Sequence, residues 1–441
     1  MQTASRTLNP GVRAREVWAW AMLDFANSGY TTVVLTAVFS AYFVGVVAGH
    51  APWATFAWTA TLSLSYILVM CSLPMLAARA DAKAGRRRLL FGSISGCVFF
   101  TFILGAAGPG DVWIAILAVV CSNYCFSLSE SAIASFLPTL ARQSALGKVS
   151  GLGWSLGYVG GLFALGVALW LVTQGQDQGL GAQVTVPRVM VSTAVIFALA
   201  ALPAWFLLKE RAQSRTAPVA CSFQTTRVEW ISAPRELKRV FVELGRDFPE
   251  FRRLLFCIVC YQAGIAVVIT LAAVYAEQVM GFTMSQTIML IVAVNVTAAV
   301  GALSFGLVQD RLGHRRALAL TLIGWLITTI AAYTAVSAPL FWFAACLAGV
   351  CMGITQSAGR AMVGALAPAD RLSRFFALWS FATQLAAAIG PLTYGIVSWV
   401  TGGNQRTAML STSIFFLLAL FILKSLSWQR GLDQKEASLA P

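Results

Sequence analysis

The chain of 441 residues is 58% apolar and only 11% charged, with a mean hydropathy of +0.76. That balance excludes a soluble domain of this length, whose surface would need far more charge. The formal net charge of +14 raises the question of a nucleic-acid partner, and the placement of the basic residues answers it.

Crossing about 30 Å of hydrocarbon takes about 20 apolar residues. Twelve stretches qualify in chain order: 17–45, 53–78, 89–107, 112–138, 149–173, 188–208, 254–276, 284–309, 317–336, 340–366, 375–400 and 407–427. Asp24 interrupts the first apolar run and no small-residue cleavage site follows a short core, so this span is expected to stay inserted. Residues 1–208 and 254–441 thus carry six spans each. The segment 209–253 between them starts polar and continues as an amphipathic run, RELKRVFVELGRDFPEFRR from Arg235, suited to a linker with one helix on the headgroup surface. The expected fold is an all-α integral membrane protein with twelve transmembrane helices in two pseudosymmetric six-helix bundles.

With twelve spans both termini lie on one side, and 28 of the 31 Lys and Arg fall there. Only Arg188 and Arg406 fall opposite, and Arg360 lies within the tenth span. This positive-inside pattern makes both termini cytoplasmic, with anionic membrane lipid rather than nucleic acid as the counterion. Nine scattered cysteines and two histidines, His50 and His314, offer no clustered metal ligands, and no phosphate-binding glycine loop occurs. Neither a metal nor a cofactor is expected, nor an enzyme.

Two polar loops repeat at half-chain separation. ARADAKAGRRR starts at Ala78 and GLVQDRLGHRR at Gly306, each following a span and placing an Asp, a Gly and a basic cluster where the chain leaves the bilayer. Eight residues separate Glu130 from Pro138, and eight separate Arg360 from Pro368. Pro138 precedes Gly160 by 22 residues, as Pro368 precedes Gly390. Spans 4 and 10, and 5 and 11, therefore read as equivalents, with Glu130 and Arg360 in matching places. A duplicated membrane chain of this kind suits a transporter whose halves rock about one site.

At these residues the chain resembles the major facilitator superfamily. Asp310, Arg311, Gly313, Arg315 and Arg316 match its loop after span 8, and Asp81, Gly85, Arg86 and Arg87 match the loop after span 2 with one extra residue. The resemblance implies a cytoplasmic latch, each Asp facing the positive N-terminus of a helix in the other half and the arginines pairing with acids or lipid. Within the superfamily, longer strings resemble the vacuolar-effluxer-like permeases, related to the autophagy-associated amino-acid exporters of fungal vacuoles: WAWAMLDFANSGYTTVVLTAVFSAYF from Trp18, SGLGWSLGYVGG from Ser150, and FWFAACLAGVCMGITQSAGRAMVGALAP from Phe341. The chain departs from that family at Ile133, Ala134 and Ser135, at Ala263, where an acid is common, and at Gln384, where a lysine is common.

The superfamily lines its cavity with spans 1, 4, 7 and 10. Charges at bilayer depth cost at least about 2.5–3.5 kcal/mol and so face a cavity or one another. Asp24, Glu130 and Arg360 are such charges. The expectation is that Glu130 and Arg360 pair across the cavity in one conformation while Asp24 handles a coupling proton. Arg360 otherwise suits a carboxylate-bearing substrate. Asn27, Asn123, Gln262, Asn295, Gln356 and Gln384 are further polar contacts for it. Gly153, Gly157 and Gly161 line one face of span 5, and Gly390, Pro391 and Gly395 thin span 11; these two helices are expected to form the sliding interface of the halves.

The reading that results is a secondary transporter, proton-coupled, for a small polar metabolite such as an amino acid, monomeric and in a bacterial inner membrane. Two alternatives stay open: a transporter of a larger metabolite such as a siderophore or cell-wall fragment, and a membrane sensor that keeps the transporter fold without transporting.

Overall fold

The computed structural model describes residues 7–49, 51, 53–82, 85–211, 242–282, 284–402 and 404–438. Twelve helices long and apolar enough to cross a membrane follow one another along these residues. They are α1 (Ala14–Val47), α2 (Ala54–Ala82), α3 (Arg86–Leu104), α4 (Val112–Leu140), α5 (Leu146–Asp177) and α6 (Ala182–Leu207), then α7 (Pro249–Met280), α8 (Met284–Leu312), α9 (His314–Thr334), α10 (Ala338–Leu366), α11 (Leu372–Val400) and α12 (Gln405–Ser425). A short helix after the last span, α13 (Trp428–Ala437), follows. Residues 242–247 are helical, whereas the start of the expected amphipathic run, up to residue 241, lies outside the described residues, as does His50.

Local chemistry sets the ends of these helices. Gly281 ends α7 with φ +65°, and Gly313 turns the chain from α8 into α9 with φ +84°, conformations that favour a residue without Cβ. Asn404 accepts the Thr407 N–H at 3.0 Å and caps α12. Within α1 the run Thr31–Ala37 is π-helical, where consecutive Thr and Val side chains crowd an ordinary α-helical turn.

Each half repeats the same packing. In the first, α1 packs on α5 and α6, α4 on α2 and α3, and α3 on α6; in the second, α7 packs on α11 and α12, α10 on α8 and α9, and α9 on α12. Even the tethers match. Glu16, in the first turn of α1, accepts the Lys209 N–H at 3.1 Å just past α6. Glu250, in the first turn of α7, accepts the Ser427 N–H at 2.9 Å just past α12. Each carboxylate holds an arginine, Arg211 at 2.7 Å and Arg253 at 2.6 Å. Between the halves, α5 crosses to α8 and α10, and α11 crosses to α2 and α4.

Two of the three glycines on the α5 stripe, Gly157 and Gly161, act differently from the expectation. A Cβ at Gly157 would press on Ser28 Oγ at 2.9 Å, and one at Gly161 on Thr32 Oγ1 at 2.8 Å, so both face α1 of their own half. The close approach to the other half is made by Gly151, where a Cβ would collide with the Ala302 carbonyl of α8 and sit 3.4 Å from Gly306 Cα. From Gly151 to Gly153 is about 200° of helix rotation, which puts the two sets on different faces. Gly390 likewise faces Ala263 of α7 in its own half, and a Cβ at Gly395 would meet open space. Thus α5 and α11 do reach the other half, but of these glycines only Gly153 takes part, against Arg360 of α10, and Pro391 is half-buried.

Gly157→Leu is expected to lower the stability of the detergent-purified protein by about 1–3 kcal/mol through overpacking against α1. Gly166→Leu, whose Cβ would meet open space, is the control expected to leave thermal unfolding unchanged.

Candidate functional site

The site is built around one buried cation. Arg360 projects from α10 of the second half, and its side chain is only 3% exposed. Its Nη1 donates to Asp24 Oδ1 at 2.9 Å and lies 2.8 Å from Oδ2, while Nε donates to Ser150 Oγ at 3.2 Å and Nη2 to the Ser150 carbonyl at 3.0 Å. The guanidinium lies 4.9 Å from the Trp20 ring centre and 5.4 Å from that of Trp154. Carboxylate, backbone oxygen and two aromatic faces together offset the loss of water. All of these partners belong to α1 and α5, so the cation of one half is held by the other.

Glu130 is not the partner of Arg360 in this conformation; Asp24 is. The reason is Gly153, where any Cβ would collide with the Asp24 carboxylate and press on Arg360 Nη2 at 2.5 Å, so the missing side chain leaves the channel in which they meet. Glu130 stands half-buried on α4, close enough to interact electrostatically with both Asp24 and Arg360.

The polar residues expected nearby divide into pairs. Asn27 Oδ1 accepts from Ser129 Oγ at 3.3 Å, linking α1 to α4. Gln262 Nε2 donates to Gln356 Oε1 at 2.8 Å, linking α7 to α10. Gln384 Nε2 donates to Ser127 Oγ at 3.1 Å and so crosses from α11 to α4. Asn123 binds Ser65 Oγ at 2.5 Å within the first half, and Asn295, on α8, donates to the Ile291 carbonyl of its own helix at 2.9 Å. Sequence reasoning missed Trp20, Ser150 and Trp154, although the string SGLGWSLGY placed two of them one turn apart. It also missed several buried donors that lack a partner among the described residues, the ring donors Trp154 Nε1, Tyr261 OH and Trp379 Nε1 among them. No group of three or more His, Cys, Asp or Glu able to hold a metal occurs among the described residues.

Two carboxylates fasten the halves at the end of the molecule that carries the termini. Asp310 accepts the N–H groups of Gly147 at 2.9 Å and Lys148 at 3.0 Å, in the first turn of α5. Asp81 accepts those of Ser373 at 3.1 Å and Arg374 at 3.0 Å, in the first turn of α11. Both satisfy orphan donors and complement a helix dipole. Gln143 adds a bond to the Ala365 carbonyl at 3.1 Å, and Ser150 Oγ one to Ser357 O at 2.9 Å. Arg374 also reaches Glu243 of the helical segment 242–247 at 2.8 Å.

The arginines of the two loops stay within their own halves. Arg86 lies 3.9 Å from Asp81 and 4.0 Å from Glu210, and Arg87 donates to the Trp205 carbonyl at 2.5 Å. Arg315 donates to the Leu423 and Lys424 carbonyls at 3.2 and 2.8 Å. Arg311 and Arg316 are exposed. Gly85 and Gly313 sit at the N-caps of α3 and α9.

The family model described as Vacuole effluxer Atg22 like matches residues 43–436. The chain belongs to that family. It is a membrane transporter of the major facilitator type, a permease similar to the vacuolar effluxers. Over 417 residues it is 25% identical to the uncharacterized MFS-type transporter YxiO of Bacillus subtilis (strain 168), covering 92% of this chain and 93% of that protein. Among solved structures, the proton:xylose symporter XylE superposes with a TM-score of 0.73 at 15% identity, over 96% of this chain and 98% of its own. The human organic anion transporter MFSD10 superposes with a TM-score of 0.70 at 16% identity, over 93% and 99%. At these identities the structural likeness shows the shared fold.

Asp310→Asn leaves the Lys148 N–H facing an amide donor and removes a charge from the helix dipole. It is expected to cost about 1–3 kcal/mol of closure, shifting the population open at this end by about 5–150-fold. Spin-label distances between the start of α5 and the end of α8 would report it as a longer component, and a distribution identical to wild type would count against the latch.

Proposed function

We propose that the protein is a proton-coupled transporter of small carboxylate-bearing metabolites, amino acids being the class that fits best. It works as a monomer in a bacterial inner membrane with both termini cytoplasmic. The observation that carries this reading is the Asp24–Arg360 pair spanning the two halves. Opening the basic end separates Arg360 from α1 and α5, and an unpaired charge left in a dry interior costs about 3–5 kcal/mol. A proton on Asp24 and a substrate carboxylate on Arg360 remove that cost together, because each supplies what the broken pair loses. Glu130, within electrostatic reach of both, supplies the negative charge that an amino acid's ammonium requires.

Residues Asn27, Gln262, Gln356 and Gln384 orient the remainder of the substrate, while Asp81 and Asp310 close the cytoplasmic gate behind it. The second reading, a larger metabolite rich in acceptors, is favoured by the buried donors of Trp154, Tyr261 and Trp379.

The test is flux into proteoliposomes from an amino-acid panel with and without an imposed pH gradient. A gradient of about one pH unit is expected to drive up to about tenfold accumulation of one amino acid per proton coupled. Asp24→Asn should abolish that gradient dependence while counterflow persists, and Glu130→Gln should lose affinity for the amino acid. Full pH-driven accumulation by both variants would sink the proposal.

A further inference from the structure

The two halves differ at one position where their symmetry asks for an anion. Glu16 and Glu250 are equivalents, and so are Lys209 and Ser427, the residues whose N–H groups they accept. One residue further along, the first half has Glu210 and the second has Trp428. The Glu210 carboxylate accepts the N–H groups of Arg86 at 3.0 Å and Arg87 at 3.3 Å, filling the space at the start of α3.

At the start of α9 no carboxylate takes that place among the described residues. A cavity of about 630 Å³ lies there instead, between Gly313, His314, Arg316, Lys424 and Trp428. Arg316 and Lys424 are exposed and form no ion pair among the described residues. Ala319 and Leu420 continue its wall along the membrane-spanning parts of α9 and α12. Its wall also touches the latch. His314 Nδ1 lies 2.7 Å from Gln309 Nε2, and a Cβ at Gly147 would press on that glutamine at 3.1 Å, beside Asp310.

We propose that this cavity seats the phosphate of an anionic phospholipid, in the place that Glu210 fills in the other half. The phosphate lies at the start of α9 between Arg316 and Lys424, and the acyl chains run along Ala319 and Leu420. A lipid rather than a soluble anion is the occupant because the cavity joins a cationic rim to an apolar wall that runs into the bilayer. Occupied, it fixes the α8–α9 turn on which Asp310 closes.

Native mass spectrometry of the full-length protein titrated with dioleoylphosphatidylglycerol tests this. Wild type is expected to retain one lipid, and R316Q/K424Q to lose about thirtyfold in affinity, the factor for two surface basic residues. W428E, which supplies an internal carboxylate as Glu210 does, is expected to lose the lipid while unfolding at no lower temperature than wild type, which separates lost binding from misfolding. Equal retention in wild type and both variants would overturn the proposal. So would equal retention of zwitterionic phosphatidylethanolamine, or displacement of the lipid by inorganic phosphate at the same concentration.

Discussion

A guanidinium that is 3% exposed inside a membrane protein can persist only while something holds it, and among the described residues Arg360 is held by the opposite half. That constraint organises the rest. Trp20 and Trp154 flank the cation, Gly153 has no side chain where the pair must meet, and Ser150 offers both hydroxyl and carbonyl. Nearer the basic end, Asp81 and Asp310 hold the first turns of helices they do not belong to. Each of these contacts joins the halves, so each is lost when the halves part there.

The internal symmetry is close in packing and loose in chemistry. Every helix pairing inside one half has its counterpart in the other, and the two latch carboxylates bind helix N-termini in the same way. The ionisable residues break the pattern: Arg360 stands where Glu130 stands in the first half, and Trp428 follows the tether that Glu210 follows. Shared packing gives two rigid bodies able to rock about an axis. The unmatched charges break the symmetry at the centre of the molecule, where Arg360 meets Asp24.

Much of the fold was legible because the bilayer sets span length and lipid tolerates few charges, so hydropathy alone located all twelve helices. The latch aspartates were legible as a repeat. Their partners Gly147 and Ser373 were named by no motif, since a backbone N–H carries no sequence signal. Arg360 was legible as a charge at depth, but its partner in this conformation, Asp24, was not. The matching intervals to Pro138 and Pro368 make Glu130 and Arg360 equivalents, and equivalence places two residues at corresponding positions without bringing them into contact. What brings Asp24 to Arg360 is the space left at Gly153, which the sequence showed only as one of several glycines on a stripe.

The central claim is that Asp24 and Arg360 depend on each other across the halves, and a double-mutant cycle on stability measures that dependence. Asp24→Asn, Arg360→Gln and the double variant would be compared by thermal unfolding in detergent. Removing either charge alone strands the other in the interior, at about 3–5 kcal/mol, whereas removing both leaves neither stranded. The account predicts a double variant more stable than the sum of the single losses allows, by about 2 kcal/mol or more. Additive losses would mean that the two residues act independently, and would contradict it.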